Sequence, residues 1–215
     1  LLCRVQVSSD GSNVREFDQE PEELKEDGMA LEEGDVIAMG VMPASDVQWM
    51  AFAADRVSVS EEGKLATQTA DNQWSLTHTG EELTEGRHYW ELEIVGTETE
   101  ELLIGVCRHD ADLRTWHHRR EHTTAWLMHA HYGNLYGNGK EDDDEAGGFN
   151  QGDRVGILLD LDDGSLRFFK NGVEHGAGYP AGSVTGPVAR AAEMVDEEYA
   201  VRLLPDAEWP AGCAP

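Results

Sequence analysis

Two strand-like runs joined by turn signals constrain the fold of this 215-residue chain more than any other feature. They lie in the stretch "GILLDLDDGSLRFFKNGVEHG", residues 156–176. The two apolar runs suit a pleated, well-buried sheet, and an Asp-Gly pair (163–164) and an Asn-Gly pair (171–172) are typical of tight hairpins whose residues need positive φ. Hairpins so close together, with such apolar arms, predict antiparallel sheet within a sizeable core.

Short strand-like runs continue through the rest of the chain. From residue 57 onward they recur between Gly, Asp and Asn turns, as in "RVSVS", "HYWELEIV", "ELLIGVCR" and "YAVRLL". Helical periodicity is nearly absent there, and no Gly-rich nucleotide-binding pattern occurs. The pattern predicts an all-β domain, either a β-sandwich or a closed barrel.

The charge of the chain bounds its partners. Forty-three acidic residues oppose sixteen basic ones, a formal net charge of -27. Such a charge repels nucleic acid and anionic lipid and favours a basic or cationic partner. The apolar runs are far shorter than the roughly 20 residues of a membrane helix, so no membrane insertion is expected.

The N-terminal residue and the cysteines bear on localisation. Because the chain begins with Leu1, it is interpreted as processed or truncated, which leaves organelle targeting open. Three sparse cysteines, Cys3, Cys107 and Cys213, favour a reducing compartment, and the cytoplasm is the preferred location. A disulfide between Cys3 and Cys213 is a further option, since the termini of one domain are often close.

Composition divides the chain into three parts. The stretch 16–35 has ten acidic residues and one lysine, and apolar pieces flank it on both sides. Residues 1–48 are therefore interpreted as an acidic N-terminal extension, with a short hairpin as an ordered alternative. Residues 49–205 form the β-sandwich domain, and residues 206–215 form a C-terminal tail.

Five segments carry a resemblance to a known family: "GRHYWELEI" (86–94), "LLIGVCR" (102–108), "AWLMHAHYGNLYGNG" (125–139), "FNQGDRVGILLDLDDGSLRFFKNG" (149–172) and "GPVARAAE" (186–193). The fourth is the most specific, because a Gly-Asp turn leads into an apolar strand, a hairpin, a Phe-Phe strand and an Asn-Gly turn. The match spans roughly residues 52–205, and over that span the chain resembles the SPRY domain family.

The resemblance implies a bent antiparallel β-sandwich of two sheets, SPRY or concanavalin-like, behind the acidic extension. It implies that Leu158, Leu166 and either Phe168 or Phe169 pack the core. A larger set is implied to be structural: Trp90, Gly105, Trp126, Gly152, Asp153, Gly156, Asp160 and Phe169. The family's modules bind proteins or peptides without catalysis, so a non-catalytic interaction module that is not an enzyme is expected.

In this family, loops on one side of the sandwich select the partner, and two segments here fall at such places. "HDADLRTWHHRREH" (109–122) is rich in Arg, His and Trp, and interface hot spots favour Trp and Arg. "ARAAEMV" (189–195) offers a soft apolar contact and a charge. The expected ligand-binding residues are Arg114, Trp116, His117, His118, Arg119, Arg120, Glu193 and Met194.

Two patterns that suggest other chemistry are better explained without it. Glu91 and Glu93 share one face of a strand, as paired glycosidase carboxylates do, but no third acidic residue follows at the required spacing, so a solvent face is predicted. His129 and His131, with the histidines of the 109–122 loop, make a transition-metal site conceivable, but no cysteine or fixed His spacing supports it. No metal, cofactor or catalytic residue is expected.

The expected partner is a protein or peptide rather than nucleic acid, and membership of a larger complex is left open. One alternative is a lectin-like, carbohydrate-binding sandwich, in which Trp49, Trp74, Trp116 and Tyr132 stack on sugars. The other is a structural subunit of a large assembly, with a whole face buried against its neighbours.

Overall fold

The computed structural model describes residues 3–8, 15–19, 36–40, 47–115, 123–137, 140–141 and 146–214. These residues form sixteen strands and no helix, which confirms the all-β prediction. No helix among them is long and apolar enough to cross a membrane. The chain separates into two compact units, Leu1–Asp46 and Val47–Pro215.

The first unit contains a three-stranded antiparallel sheet. Its strands are β1 (Cys3–Ser8), β2 (Arg15–Gln19) and β3 (Val36–Gly40), and β1 lies between the other two. The two apolar pieces predicted as strands are β1 and β3. The middle strand in sequence, β2, is an addition to the predicted hairpin and comes from the start of the acidic stretch. Residues 20–35 lie outside the described part of the chain.

The second unit is a sandwich of two antiparallel sheets. The six-stranded sheet has the order β11-β10-β9-β8-β15-β6, and the seven-stranded sheet has the order β14-β13-β12-β7-β16-β5-β4. The thirteen strands are β4 (Val57–Ser60), β5 (Leu65–Gln68), β6 (Ser75–His78), β7 (Arg87–Ile94), β8 (Leu103–Cys107), β9 (Ala125–His129), β10 (Leu135–Gly137), β11 (Lys140–Glu141), β12 (Arg154–Asp160), β13 (Ser165–Lys170), β14 (Val173–Glu174), β15 (Ala189–Met194) and β16 (Ala200–Leu204).

Large aromatic side chains fill the space between the two sheets. Trp90 of β7 in one sheet and Trp126 of β9 in the other both point into the space between the sheets, and both are fully buried. Phe149 and Trp49 are buried in the same cluster, although neither belongs to one of the sixteen strands. Trp49 forms only an isolated β-bridge, with Thr79. The core therefore reaches back to residue 49, and the predicted two-sheet sandwich is confirmed.

The hairpins predicted at residues 163–164 and 171–172 are both present. Four residues, 161–164, join β12 to β13, and among them only Gly164 has positive φ, at 77°. Backbone N–H groups of residues 162 and 163 donate to the Asp160 carboxylate at 3.1 and 3.3 Å, which closes the turn. Asn171 and Gly172 both have positive φ, 51° and 82°, as a two-residue hairpin requires.

Only part of the predicted core set faces the space between the sheets. Leu166 and Phe168 lie in the main core, whereas Leu158 and Phe169 lie in a separate cluster on the outer face of the seven-stranded sheet. Alternation along a strand separates neighbours, so Phe168 and Phe169 point to opposite faces. Leu158 was expected in the core and is buried on the other side instead.

The C-terminal segment, residues 206–214, explains why that outer face is buried. Its Trp209 ring lies 5.8 Å from the ring of Tyr89, and the guanidinium of Arg87 lies 5.7 Å from the Trp209 ring. Aromatic and cation–π contacts of this kind hold a chain segment against a sheet. Residues set apart as a tail in the sequence thus pack on the sandwich.

Cys213 anchors the end of this segment. Arg87 donates to its carbonyl oxygen at 2.7 Å, and Arg167 donates to its sulfur at 2.9 Å. The Cys213 thiol is free and buried.

The outer face also buries a carboxylate that the sequence assigned to solvent. Glu91 is 8% exposed, accepts a hydrogen bond from the Tyr89 hydroxyl at 2.9 Å, and faces Arg154 at 3.4 Å. Glu93, two residues on, is paired with Arg202. The two glutamates are therefore structural ion-pair partners, and the predicted solvent face is wrong for Glu91.

Candidate functional site

One end of the sandwich brings together the ends of three neighbouring strands. β6 ends at His78, β8 ends at Cys107, and β15, which pairs with both, begins at Ala189. Antiparallel neighbours run in opposite directions, so these termini and the loops beyond them lie side by side. We call this region the arginine end, after Arg108 and Arg190.

The long loop predicted to bind the partner leaves from the arginine end. Arg114 is described, and both of its terminal nitrogens bind the Asp55 carboxylate, one at 2.9 Å. The hydrogen bond from Arg114 lowers the pKa of Asp55 below its ordinary value. Exposed pairs of this type contribute little to stability. The binding role of Arg114 stays a prediction.

The other predicted residues of that loop lie outside the described residues: Trp116, His117, His118, Arg119 and Arg120. Their roles also stay predictions.

Glu193 and Met194, the remaining predicted contacts, have no exposed surface. Both belong to β15, the strand that follows Pro187, and all six residues of β15 are buried. Met194 packs in the main core, and Glu193 lies on the opposite face, between Leu76 and Leu103 of the flanking strands. The prediction of an exposed loop at this place is corrected, because both faces of the six-stranded sheet are covered here.

An exposed apolar surface that sequence reasoning missed lies beside β6. Met50 is 40% exposed and Phe52 is 48% exposed. The Met50 N–H donates to the His78 carbonyl at 3.0 Å, and the Thr77 hydroxyl donates to the Met50 carbonyl at 3.0 Å. The Phe52 and His109 rings lie 4.5 and 4.7 Å from the His78 ring. We call Met50, Phe52, His78 and His109 the edge patch.

The sequence carries no clear signal for the edge patch. All four residues of "WMAF" (49–52) are apolar, yet only Trp49 is buried, whereas Met50, Ala51 and Phe52 are exposed. Residue type alone therefore does not separate the exposed Phe52 from a core residue.

His78 is the buried member of the edge patch. Its Nδ1 lies 2.7 Å from the Thr79 carbonyl oxygen, and since a carbonyl only accepts, Nδ1 carries the proton. Burial lowers the pKa of His78, and the neighbouring His109 lowers it further. A neutral imidazole in the stack keeps the patch apolar in character.

Arg190 enters the core from β15 at the arginine end. Its guanidinium lies 5.0 Å from the Trp90 ring, and it binds the Glu81 carboxylate at 2.6 Å. The Arg190 side chain is 7% exposed and that of Glu81 is 50% exposed. Burial lowers the pKa of Arg190, while Glu81 opposes that shift. A carboxylate at the rim thus satisfies a nearly buried cation.

Arg108 repeats the tryptophan contact on the same face. Its guanidinium lies 5.7 Å from the Trp126 ring and donates to the Thr185 hydroxyl at 2.9 Å. Val106 of β8 pairs directly with Arg190, and Arg108 follows the last residue of β8. Both arginines point inward, since each lies over a core tryptophan. The arginine end therefore carries two tryptophan-stacked cations.

The opposite ends of β6 and β15 have the reverse charge. A cleft of about 380 Å³ there is lined by Asp71, Glu98, Asp196, Glu197, Glu198 and Tyr199. Burial raises the pKa of the neighbouring Glu101, and Asp196 and Glu100 add to this. Along these strands, one end of the second unit thus carries Arg108 and Arg190, and the other end carries a cluster of carboxylates.

Metal-binding geometry is absent from the described residues, in which no three His, Cys, Asp or Glu side chains converge as an ion would require. The Nδ1 atom of His129 instead accepts a hydrogen bond from the N–H of His131 at 3.3 Å. The His129 ring also lies 5.2 Å from the ring of Tyr132. These histidines belong to a local turn.

The fold can be compared with known proteins. Residues 87–189 match the family model of the SPRY domain. The SPRY domain of human HERC1 superposes with a TM-score of 0.62 at 22% identity, covering 71% of this chain and 94% of that one. A second human SPRY domain gives 0.53 at 20% identity, covering 71% and 97%. The PSpry domain of TRIM65 gives 0.58 at 16% identity, covering 74% and 91%.

These findings confirm the resemblance drawn from the five sequence segments. The matched residues run from the start of β7 to the start of β15 and include both tryptophans that stack on the arginines. The carbohydrate-binding alternative gains no support from the family match or from these three structures. The second unit is thus a β-sandwich of two antiparallel sheets whose central segment, residues 87–189, matches the SPRY domain family.

Proposed function

We propose that this protein is a non-catalytic interaction module that binds a protein or peptide partner at the arginine end of its sandwich. SPRY domains are known as protein-interaction modules, and the match of residues 87–189 to that family supports the class of function. The place of binding is supported by the distribution of exposed apolar side chains.

The observation that carries this proposal is the exposure of Phe52. Four large apolar side chains among the described residues are exposed: Met50, Phe52, Tyr132 and Val173. Two of them fall within the edge patch, a few residues apart. An aromatic ring left half in water but held by a neighbouring ring suits a contact that a partner completes.

The surroundings of Phe52 fit an interface anchor. Its ring stacks on that of His78, which is itself fixed by the bond to Thr79, so little side-chain entropy remains to be lost on binding. The exposed Arg114–Asp55 pair lies on the same side and would form part of a polar rim.

A pull-down with matched variants tests the proposal. The full chain, a Phe52→Ala variant and a Val173→Ala variant are compared at equal concentration for capture of partners from cell extract, and each partner's affinity is then measured with purified components. Val173 is 71% exposed and lies in β14, at the edge of the seven-stranded sheet. The Val173→Ala substitution therefore removes exposed apolar surface away from the edge patch.

We expect Phe52→Ala to weaken partner affinity by about 2 kcal/mol, as hot-spot aromatics do, while melting stays unchanged. Val173→Ala should bind like the wild type. Equal binding by all three proteins would remove the edge patch from the interface.

A further inference from the structure

Arg108 differs from the other arginines of the described structure. Eight arginine side chains are described: Arg56, Arg87, Arg108, Arg114, Arg154, Arg167, Arg190 and Arg202. Seven lie within 4.0 Å of a carboxylate oxygen, whereas no carboxylate of the described residues lies that close to Arg108. Arg108 thus differs from the other seven in a chain with 43 acidic residues.

The Arg108 side chain is nevertheless held in place. Its guanidinium lies over Trp126 and donates to the Thr185 hydroxyl, while its buried Nε has no hydrogen-bond partner. Buried donors without partners are rare, since each costs about 1–3 kcal/mol. The buried Nε of Arg190 is unpartnered too, so Arg108 is set apart by its terminal nitrogens, which no carboxylate of the described residues approaches.

Glycine borders the open side of this guanidinium. Gly186 has φ of 78°, and a Cβ atom there would lie 3.6 Å from an Arg108 terminal nitrogen. Because residue 186 has no side chain, it leaves that side of the nitrogen open. Among the described residues, Arg108 is therefore a fixed cation that Gly186 does not cover.

Arg190 shows what this end of the sandwich binds. Both arginines stack on a tryptophan and point from neighbouring strands to the same face. Arg190 holds a carboxylate, that of Glu81 in the loop after β6. The equivalent place on Arg108 has no such group from the described chain.

We propose, on the basis of the proposed interaction function, that Arg108 binds a carboxylate side chain of an acidic segment of the partner. The guanidinium would pair with the Glu or Asp in the way that Arg190 pairs with Glu81. Thr185 keeps the fork oriented.

Charge favours a carboxylate over a phosphate or a nucleic acid. A carboxylate brings one negative charge to a chain of net charge -27, whereas a phosphate brings about 1.5 to 2 and a nucleic acid brings many. The single positive charge of Arg108 can neutralise the one negative charge of a carboxylate, but not the larger charge of a phosphate or a nucleic acid. The occupant is thus a peptide segment with few acidic groups.

Nuclear magnetic resonance of arginine side chains tests this directly. The Nε–H signals of the full ¹⁵N-labelled chain are followed while N-acetyl-glutamic acid α-amide, which has one carboxylate, is added. N-acetyl-glutamine amide and sodium chloride at equal ionic strength serve as controls, and N-acetyl-phosphoserine amide supplies a phosphate. Arg108→Lys assigns the signal, and Arg202, on the other sheet, is the reference arginine.

We expect the glutamate compound to shift the Arg108 Nε–H signal saturably and to leave that of Arg202 unchanged. An Arg108 signal that does not move, or that moves equally with the glutamine compound or salt, overturns the proposal. A larger response to the phosphoserine compound at the same concentration overturns the carboxylate assignment.

Partner capture separates this inference from the proposed function. If the Phe52 surface binds the partner and Arg108→Gln binds it as well as Arg202→Gln does, the module function stands and the carboxylate site is wrong. A tenfold loss of partner affinity with Arg108→Gln, and no loss with Arg202→Gln, supports both the module function and the carboxylate site. A carboxylate-specific shift without any effect of Phe52→Ala would support the Arg108 site while the edge patch fails.

Discussion

The guanidinium of Arg190 lies 5.0 Å from the centroid of the Trp90 ring, with a carboxylate of Glu81 bound at its outer side. A cation is thus held between the aromatic core and the rim of the sandwich. The arrangement makes the contributions of the two charged partners unequal, because only one of them is buried.

The first prediction follows from that inequality. Glu81→Gln should lower the free energy of unfolding by about 1–2 kcal/mol, since it leaves a buried cation unpaired. Arg190→Met should be close to neutral, because an apolar stem still covers Trp90 and an exposed Glu81 returns to water. Chemical denaturation of both variants measures this, and a larger loss for Arg190→Met would contradict it.

The second prediction concerns the C-terminal segment. Trp209→Ala should destabilise the fold by about 2 kcal/mol, because the half-buried ring covers Tyr89 and lies against Arg87. Glu208→Ala, an exposed neighbour, should change stability by less than about 0.5 kcal/mol. Thermal melting of the two variants side by side tests the pair. Equal melting temperatures would mean that the segment does not stabilise the outer face.

The third prediction concerns two glycines. At Gly105 in β8 a Cβ atom would lie 2.1 Å from the Trp126 carbonyl oxygen, so Gly105→Ala must separate two core strands. At Gly152 there is open space, but φ is 84°. Gly105→Ala should cost about 3 kcal/mol or more and Gly152→Ala about 1 kcal/mol. The reverse order in urea unfolding would show that β8 and β9 are not packed as described.

The fourth prediction is a loss of stability in mild acid. Burial lowers the pKa of His129 from 6.5 to about 4, with a smaller contribution from His131. Between those values the unfolded chain binds a proton that the folded chain does not, so stability falls as pH drops from 6.5 towards 4. The loss attributable to His129 is at most roughly 3 kcal/mol.

His129→Gln should flatten this part of the stability curve while keeping a normal fold at pH 8. Urea unfolding at half-unit pH steps gives the slope for both proteins. If the variant loses stability over pH 6.5 to 4 as steeply as the wild type, His129 is not the group responsible.

The fifth prediction concerns where the sandwich begins. A chain starting at Val47 should fold, because the core reaches Trp49, whose N–H donates to the Gly63 carbonyl at 2.8 Å. A chain starting at Ala53 should lose about 3–5 kcal/mol, as expected for removing a buried tryptophan. Circular dichroism and melting distinguish the two starts. A Val47 chain that does not fold would show that the first unit is required.

Much of the fold could be predicted from local pattern. Alternation and turn residues specify strands and hairpins through short-range sterics. Asn171 and Gly172 therefore predict their turn from residue type alone, without any tertiary contact. The ordered segments around Trp90 and Trp126 specify the family in the same way. The long loop after β8 is predicted from its composition to bind the partner, and Arg114, the one of its predicted contacts that the structure describes, lies on the surface, where its binding role stays a prediction.

The failures arose where burial depends on what covers a face. Met194 and Glu193 follow a proline and carry surface-like chemistry, but β15 lies inside a sheet covered on both sides. Leu158 packs in a cluster with Cys213 and Trp209, which are more than forty residues away and return to the outer face. Glu91 on the same face is bound by Tyr89 and Arg154. No local pattern encodes such a return.

The sequence by itself thus determined the strand class, the turns, the family and the net charge, because these depend on residue type and near-neighbour spacing. Tertiary structure alone decided which tryptophan lies under which arginine, and that Glu81 binds Arg190 while no carboxylate of the described residues binds Arg108. Those relationships join residues up to 109 positions apart. They follow from strand order and register, which are set by the packing of the two sheets as a whole.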